Sequence, residues 1–290
     1  MNKTVQMLPP PHPFLYEDAV RRALREDLGR AGDLTTDAIV STGEEAVATI
    51  VARAEGRIAG LDVALYAFRC LDAHLDANVQ ISDGRDAEAG ERLAVIHGSA
   101  RAVLSAERTA LNFLGRLCGV ATATRGVVAA VAPYGAKVVC TRKTTPGLRL
   151  LEKYAVRAGG GANHRFGLDD AVLIKDNHRL IAGGLTEAVR RVRRHIGHMV
   201  KVEVEVDTLS ELEEALRLGV DAVLLDNMPV ETLTQGVRMA KGKALTEASG
   251  GITPENAAAI AAAGVDLLSL GWITHSAPAL DVSLDLALRV

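Results

Sequence analysis

The second half of this 290-residue chain alternates short apolar runs with amphipathic stretches, and that alternation limits the possible folds more than any other feature. The runs are KVVCT (137–141), AVLIKD (171–176), KVEVEVD (201–207), AVLLDN (222–227), ALTEASG (244–250) and LLSLGW (267–272). Runs of this kind read as strands buried on both faces, as in a parallel sheet. Helical patterns lie between them at 148–158, 185–195, 209–218, 230–239 and 254–263. Repeated βα units make either an open doubly wound sheet or a barrel. The strand ends Glu205, Asp226, Ser249 and Gly271 fall 21, 23 and 22 residues apart, the size of one compact βα unit. Each carries a polar or glycine residue, and barrel enzymes build their sites at that end. No GxGxxG follows a strand, so a dinucleotide fold lacks its fingerprint. The expected fold class is α/β, an incomplete (β/α) barrel of six countable strands preceded by an N-terminal α+β sandwich domain.

The first half supports that division. The proline cluster Pro9, Pro10, Pro11 and Pro13 holds the start extended. A helix is expected over 16–28, with Ala19, Leu24 and Leu28 on its apolar side and Gly29 ending it. Strand-like pieces at 46–54, 79–82 and 93–97 surround a helix at 61–71, with turns at Asp83-Gly84 and Ala89-Gly90. A long helical pattern runs from Ser105 towards Ala132, stopped by Pro133 and Gly135. The expected domains are residues 1–115 and 116–276, with the tail 277–290 folding back onto the first.

Composition removes several function classes. Aromatics are 3 % of residues, the net charge is -3 and the pI is about 6.3, which excludes a general nucleic-acid binder. Three scattered cysteines, Cys70, Cys118 and Cys140, form no CxxC pair, so neither a disulfide frame nor a structural zinc is expected. The N-terminus does not read as a secretory signal, and no run approaches the ~20 continuous apolar residues of a membrane span. A cytoplasmic protein is expected.

One segment departs from the acidic balance. From Lys137 to Arg179 nine basic residues face four acidic ones. Lys153, Arg157 and Arg179 are expected on solvated helix faces. Arg142, Lys143 and Lys175 follow VVC and VLI directly, at strand C-termini, where an arginine fork or a lysine point charge meets carboxylate or phosphate. Glu205 and Asp226 end strands one unit apart, and Glu203 shares the face of Glu205. Carboxylates facing a basic cluster suit a Mg²⁺ site or the stabilisation of a cation. Gly250 and Gly251 follow a strand, with Pro254 expected to open a helix, and Gly271 repeats the arrangement in the next unit. Backbone N–H groups there suit phosphate. The residues thus describe a cationic, an acidic and a phosphate subsite.

Longer strings make a specific resemblance. ERTALNFLGRLCGVAT, TRKTTPGLR, EKYAVRAGGGANHRFGLDDAVLIKDNH, VEVEVDTLSELEEAL, LLDN and EASGGI resemble the quinolinate phosphoribosyltransferase family, in family order over about 105–276, and EDLGRAGDLTT fits the first domain. Cys140 and Cys118 depart from the family's usual acidic residue and serine. The resemblance implies a transferase joining quinolinate to 5-phosphoribosyl-1-pyrophosphate (PRPP) with Mg²⁺, releasing pyrophosphate and CO₂ and giving nicotinate mononucleotide for NAD biosynthesis. It implies Arg142, Lys143, His164, Arg165 and Lys175 around the ring carboxylates, with Thr141 also a substrate-binding residue. Arg108 would reach this site from a partner subunit of a homodimer or higher oligomer. It implies Glu205 and Asp226 near ribose and Mg²⁺, directly or through water, and Ser249, Gly250, Gly251, Gly271 and His275 at the 5-phosphate. Lys143, Glu205 and Asp226 would be the catalytic set. The remaining histidines, His12, His74, His97, His195 and His198, are expected to be structural or on the surface. Rival readings are a relative with another acceptor (nicotinate, or ModD-like), a Schiff-base aldolase using Lys175, and a silent phosphate-binding barrel. Five cationic residues favour a dicarboxylate among them.

Overall fold

The computed structural model describes residues 8–288, which fall into two compact units. The first comprises residues up to 125, 144–160 and from 273 onward; the second comprises 126–143 and 161–272.

The first unit begins with α1 (Glu17–Leu28) and α2 (Leu34–Ile39). Asp33 caps α2, accepting from the Thr36 N–H at 3.0 Å. Val20 and Leu24 are the buried face of α1, so Val20 takes the place expected for Ala19. Strands β1 (Glu45–Ala52), β3 (Asp76–Val79) and β5 (Arg92–Ser99) flank α3 (Leu61–Leu71), and β2 (Gly56–Arg57) pairs with β4 (Asp86–Ala87). The piece expected at 79–82 thus forms slightly earlier, ahead of the turn with Gly84 at φ 81°. Apolar residues alternate along β1, burying Ala46, Ala48 and Ile50. The chain's last strand, β12 (Val282–Leu288), completes an antiparallel sheet in the order β12-β1-β5-β3, with Ala52 opposite Val282.

The long helix α4 (Ala100–Val131) starts earlier than its apolar pattern indicated. It is the one helix among the described residues with a window long and apolar enough to span a bilayer, and 56 % of that window is buried within the protein, as in a core helix. Gly115 and Gly119, one turn apart, let the chain at 278–280 lie against α4. A Cβ on Gly119 would stand 2.0 Å from the Pro278 carbonyl oxygen.

Helix α5 (Arg149–Ala158) belongs to this first unit, although its place between two strands of the second half suggested a barrel helix. It is buried almost throughout, which corrects the expectation for Lys153: its side chain has no solvent exposure, whereas Arg157 is exposed. Burial of α5 requires its polar groups to be paired. Glu152, fully buried, accepts from Arg116 Nη2 at 2.8 Å and from the Thr145 hydroxyl at 2.7 Å. Tyr154 donates to Asp83 at 2.7 Å.

The second unit is a six-stranded parallel sheet of β6 (Lys137–Val139), β7 (Val172–Ile174), β8 (Val202–Val206), β9 (Ala222–Asp226), β10 (Leu245–Ser249) and β11 (Leu267–Ser269). Its order, β6-β11-β10-β9-β8-β7, leaves β6 and β7 at opposite ends, and a single parallel bridge, Val139 to Ala162, extends the β6 edge. All six strands stand where the apolar runs placed them. Between them come α6 (Asp176–Ala182), α7 (Leu185–His195), α8 (Leu209–Arg217), α9 (Val230–Ala240) and α10 (Ala257–Ala262), and α11 (Trp272–His275) follows β11. Helix α10 begins at Ala257, not Pro254, because Asn256 ties residues 251–256 into a turn by accepting from the Thr253 N–H and donating to the Gly251 carbonyl.

Gly119→Ala is expected to destabilise the chain by about 1–3 kcal/mol, since backbone must move to admit the methyl group. A urea-melt midpoint equal to that of the unsubstituted chain would contradict this packing.

Candidate active site

In a parallel sheet, residues paired across strands share a face. Glu205 pairs with Leu224, Leu224 with Glu247, and Asp226 with Ser249. Glu203 and Glu205 alternate on β8, as do Leu224 with Asp226 and Glu247 with Ser249. One face of the sheet therefore carries four carboxylates, and Glu203 and Glu247 are 8 % and 1 % exposed.

Basic side chains meet this face. Lys175, directly after β7, is ion-paired with Glu205. His164 Nε2 lies 2.8 Å from Glu203 Oε2 and 3.6 Å from Glu247 Oε1. Burial, and then the neighbouring charge of Arg142, hold the Arg165 guanidinium below its ordinary pKa, while Glu203 opposes them. Arg165 also donates to the Ala171 carbonyl at 3.1 Å. Lys143 is exposed, and its N–H donates to the Thr141 hydroxyl at 3.0 Å. Arg179, expected on a solvated face, instead bridges Asp207 at 3.3 Å and Glu211 at 2.9 Å, with its side chain 12 % exposed. His178 Nδ1 accepts from the Lys175 N–H and caps α6.

The loop after β10 is shaped around glycine. Gly250 has φ 87°, and a Cβ there would fall 2.1 Å from Asn227 Oδ1. Asn227 itself adopts φ 52°, donates from its side chain to Asp226 at 2.7 Å and from its N–H to the Ser249 carbonyl at 2.9 Å. Asp226 and the Ser249-Gly250 turn are thereby tied together. Trp272 Nε1, after Gly271, donates to the Ile252 carbonyl at 3.0 Å.

Of the residues singled out from the sequence, Thr141, Arg142, Lys143, His164, Arg165, Lys175, Glu205, Asp226, Ser249, Gly250, Gly251 and Gly271 all fall in the second unit. Arg108 and His275 fall in the first: Arg108 is 66 % exposed on α4, and His275 Nδ1 lies 2.6 Å from the Ser276 hydroxyl. Both departures from the resemblance are buried thiols. Cys140 donates to Asn163 Oδ1 at 3.4 Å, and burial pushes the Cys118 thiol up to about 12, which leaves it unreactive. Glu247 is the residue that sequence reasoning passed over. Its signal was the spacing Glu247-x-Ser249, which places it on the face of an expected site residue.

Known proteins match nearly the whole chain. Residues 33–118 match the model for the quinolinate phosphoribosyl transferase N-terminal domain, and residues 120–285 that for its C-terminal domain. The chain belongs to the quinolinate phosphoribosyltransferase family. A Bacillus subtilis member named probable nicotinate-nucleotide pyrophosphorylase [carboxylating] is 46 % identical over 264 residues, 91 % of this chain and 90 % of that protein. The Mycobacterium leprae nicotinate-nucleotide pyrophosphorylase [carboxylating] is 44 % identical, over 93 % of this chain and 96 % of its own length. The crystal structure of NadC from Streptococcus pyogenes superposes with a TM-score of 0.94 at 39 % identity, covering 98 % of this chain and 100 % of that one. For this family member, Gly250→Ala is expected to cost about 1–3 kcal/mol of stability through its left-handed backbone and to displace Asn227. A crystal structure of the variant with the Asn227 side chain unmoved would refute the close approach.

Proposed function

We propose that this chain transfers the phosphoribosyl group of PRPP to the ring nitrogen of quinolinate, yielding nicotinate mononucleotide, pyrophosphate and CO₂. The observation that carries the reading is the pair Arg142 and Arg165. Burial and then the nearby charge of Arg142 disfavour the charged form of Arg165, an arrangement that a dianionic ligand relieves. The family relatives act in the same sense by their printed names.

Arg142, Arg165, Lys143 and Lys175 hold the two ring carboxylates, with Thr141 and His164 beside them. Lys175 exchanges its bond to Glu205 for one to the substrate. The Ser249, Gly250 and Gly251 turn, with Gly271, takes the 5-phosphate. The ring nitrogen bonds to ribose C1 as the bond from C1 to the pyrophosphate oxygen breaks. Glu205 and Asp226 face the positive charge that develops at C1, and fixed carboxylates stabilise it without reorganisation. Holding the dianion in line with C1 supplies the proximity term. The ribosylated nitrogen then stabilises the carbanion left when the adjacent carboxylate departs as CO₂, and that carbon takes a proton. The oxygen donors of Glu205 and Asp226 fit a hard cation; they would hold Mg²⁺, which offsets charge on pyrophosphate when bound.

Incubation with PRPP, Mg²⁺ and either quinolinate or nicotinate tests the reaction. Nicotinate mononucleotide from quinolinate alone, with one CO₂ each, is expected; product from nicotinate alone would overturn the dicarboxylate pocket. Arg108, exposed on α4, is assigned to the partner's site in a homodimer. Mixing inactive Arg108→Ala and Lys143→Ala chains should then restore activity, and a mixture as inactive as its components would place Arg108 in its own subunit's site.

A further inference from the structure

Glu203 and Glu247 have no part in the chemistry above, yet they are the most buried of the four acids on the site face of the sheet. Glu203, Glu247 and His164 each place one potential ligand atom within 4.8 Å of the others. Among the described residues neither carboxylate oxygen of Glu247 meets a partner at hydrogen-bond geometry, and the neighbouring Ser269 hydroxyl donates to the Ala248 carbonyl instead. Two buried carboxylates this close need either a bound cation or a proton between them.

The main chain decides between these. The Arg165 N–H donates to His164 Nδ1 at 2.8 Å, so Nδ1 presents a lone pair and the neutral ring carries its proton on Nε2, directed at Glu203. A metal ion would need the Nε2 lone pair, which puts the proton on Nδ1 against the Arg165 N–H. The geometry therefore disfavours a cation at this cluster.

We propose that Glu203, Glu247 and His164 form a buried positioning unit beneath the acceptor pocket: Glu203 orients the His164 ring, Glu247 backs it, and His164 Nδ1 fixes the Arg165 main chain. The proposal rests on Arg165 being an acceptor contact, as read above. It assigns Glu247 the role of a carboxylic acid in the sheet interior. Its carboxyl is pushed up to about 7, first by burial and next by the charge of Glu203. Arg165 is held at both ends, through its N–H by His164 and through its guanidinium by the Ala171 carbonyl, so a shift of the imidazole moves the group that meets the substrate.

Two measurements on the full chain test this. In ¹⁵N-histidine NMR, His164 is expected as the Nε2–H tautomer, and dialysis against Zn²⁺ should leave no stoichiometric metal. An Nδ1–H tautomer, or one zinc per chain that Glu247→Gln abolishes, would overturn the proposal. In kinetics, Glu203→Ala should raise KM for quinolinate about tenfold or more with KM for PRPP unchanged, and Glu203→Gln, which retains an acceptor oxygen, should recover most of the loss. Equal shifts in both KM values, or a glutamine variant as impaired as the alanine one, would reduce the unit to a fold-stabilising role and sink the idea. If the unsubstituted chain turns over no quinolinate, the functional reading falls, while the NMR and zinc results still decide the positioning unit.

Discussion

Four carboxylates on one face of a parallel sheet are the constraint to which the second unit answers. An uncompensated buried carboxylate costs several kcal/mol, so Glu203, Glu205, Asp226 and Glu247 cannot all stand ionised and alone. Each is met differently. Lys175 pairs with Glu205, and His164 with Glu203. Asn227 donates to Asp226, and Glu247 moves towards its neutral form. The basic segment between Lys137 and Arg179 is thus more than a ligand trap. Part of it is the counter-charge that lets the sheet fold with acids inside.

The same compensation prepares the chemistry. Lys175 and Glu205 satisfy one another here, and both are assigned to substrates. Under the proposed function, binding would exchange one set of ion pairs for another, so that neither group stands as a bare charge in either state. Arg142 and Arg165 are the opposite case. The charge of Arg142 disfavours that of Arg165, and under the proposed function a dianion would offset both. Backbone geometry shapes the turn after β10, because only glycine fits beside Asn227 at the φ of Gly250.

Legibility in the sequence followed the range of the forces involved. All six parallel strands appear as local apolar runs, since burial on both faces leaves a mark on consecutive residues. Leu61–Leu71 and Leu185–His195 were readable to the residue for the same reason. Lys153 was misjudged because its charge spoke for solvent, while α5 is buried through contacts made by segments distant in sequence. The start of α10 was misplaced at Pro254 because the turn depends on Asn256, whose bonds to Thr253 and Gly251 outweigh the proline signal. Glu247 went unnoticed because a single acid in a strand announces nothing until its neighbours are known.

The sequence by itself determined the order of elements, the cationic segment, the strand-end acids and the family, because each is written in contiguous residues or fixed spacings. Tertiary structure alone decided which charges meet. Glu203 and Glu247 are 44 positions apart in the chain and are brought to His164 only by the register of β8, β9 and β10. Charge pairing depends on distance in space, and periodicity along the chain carries no record of it.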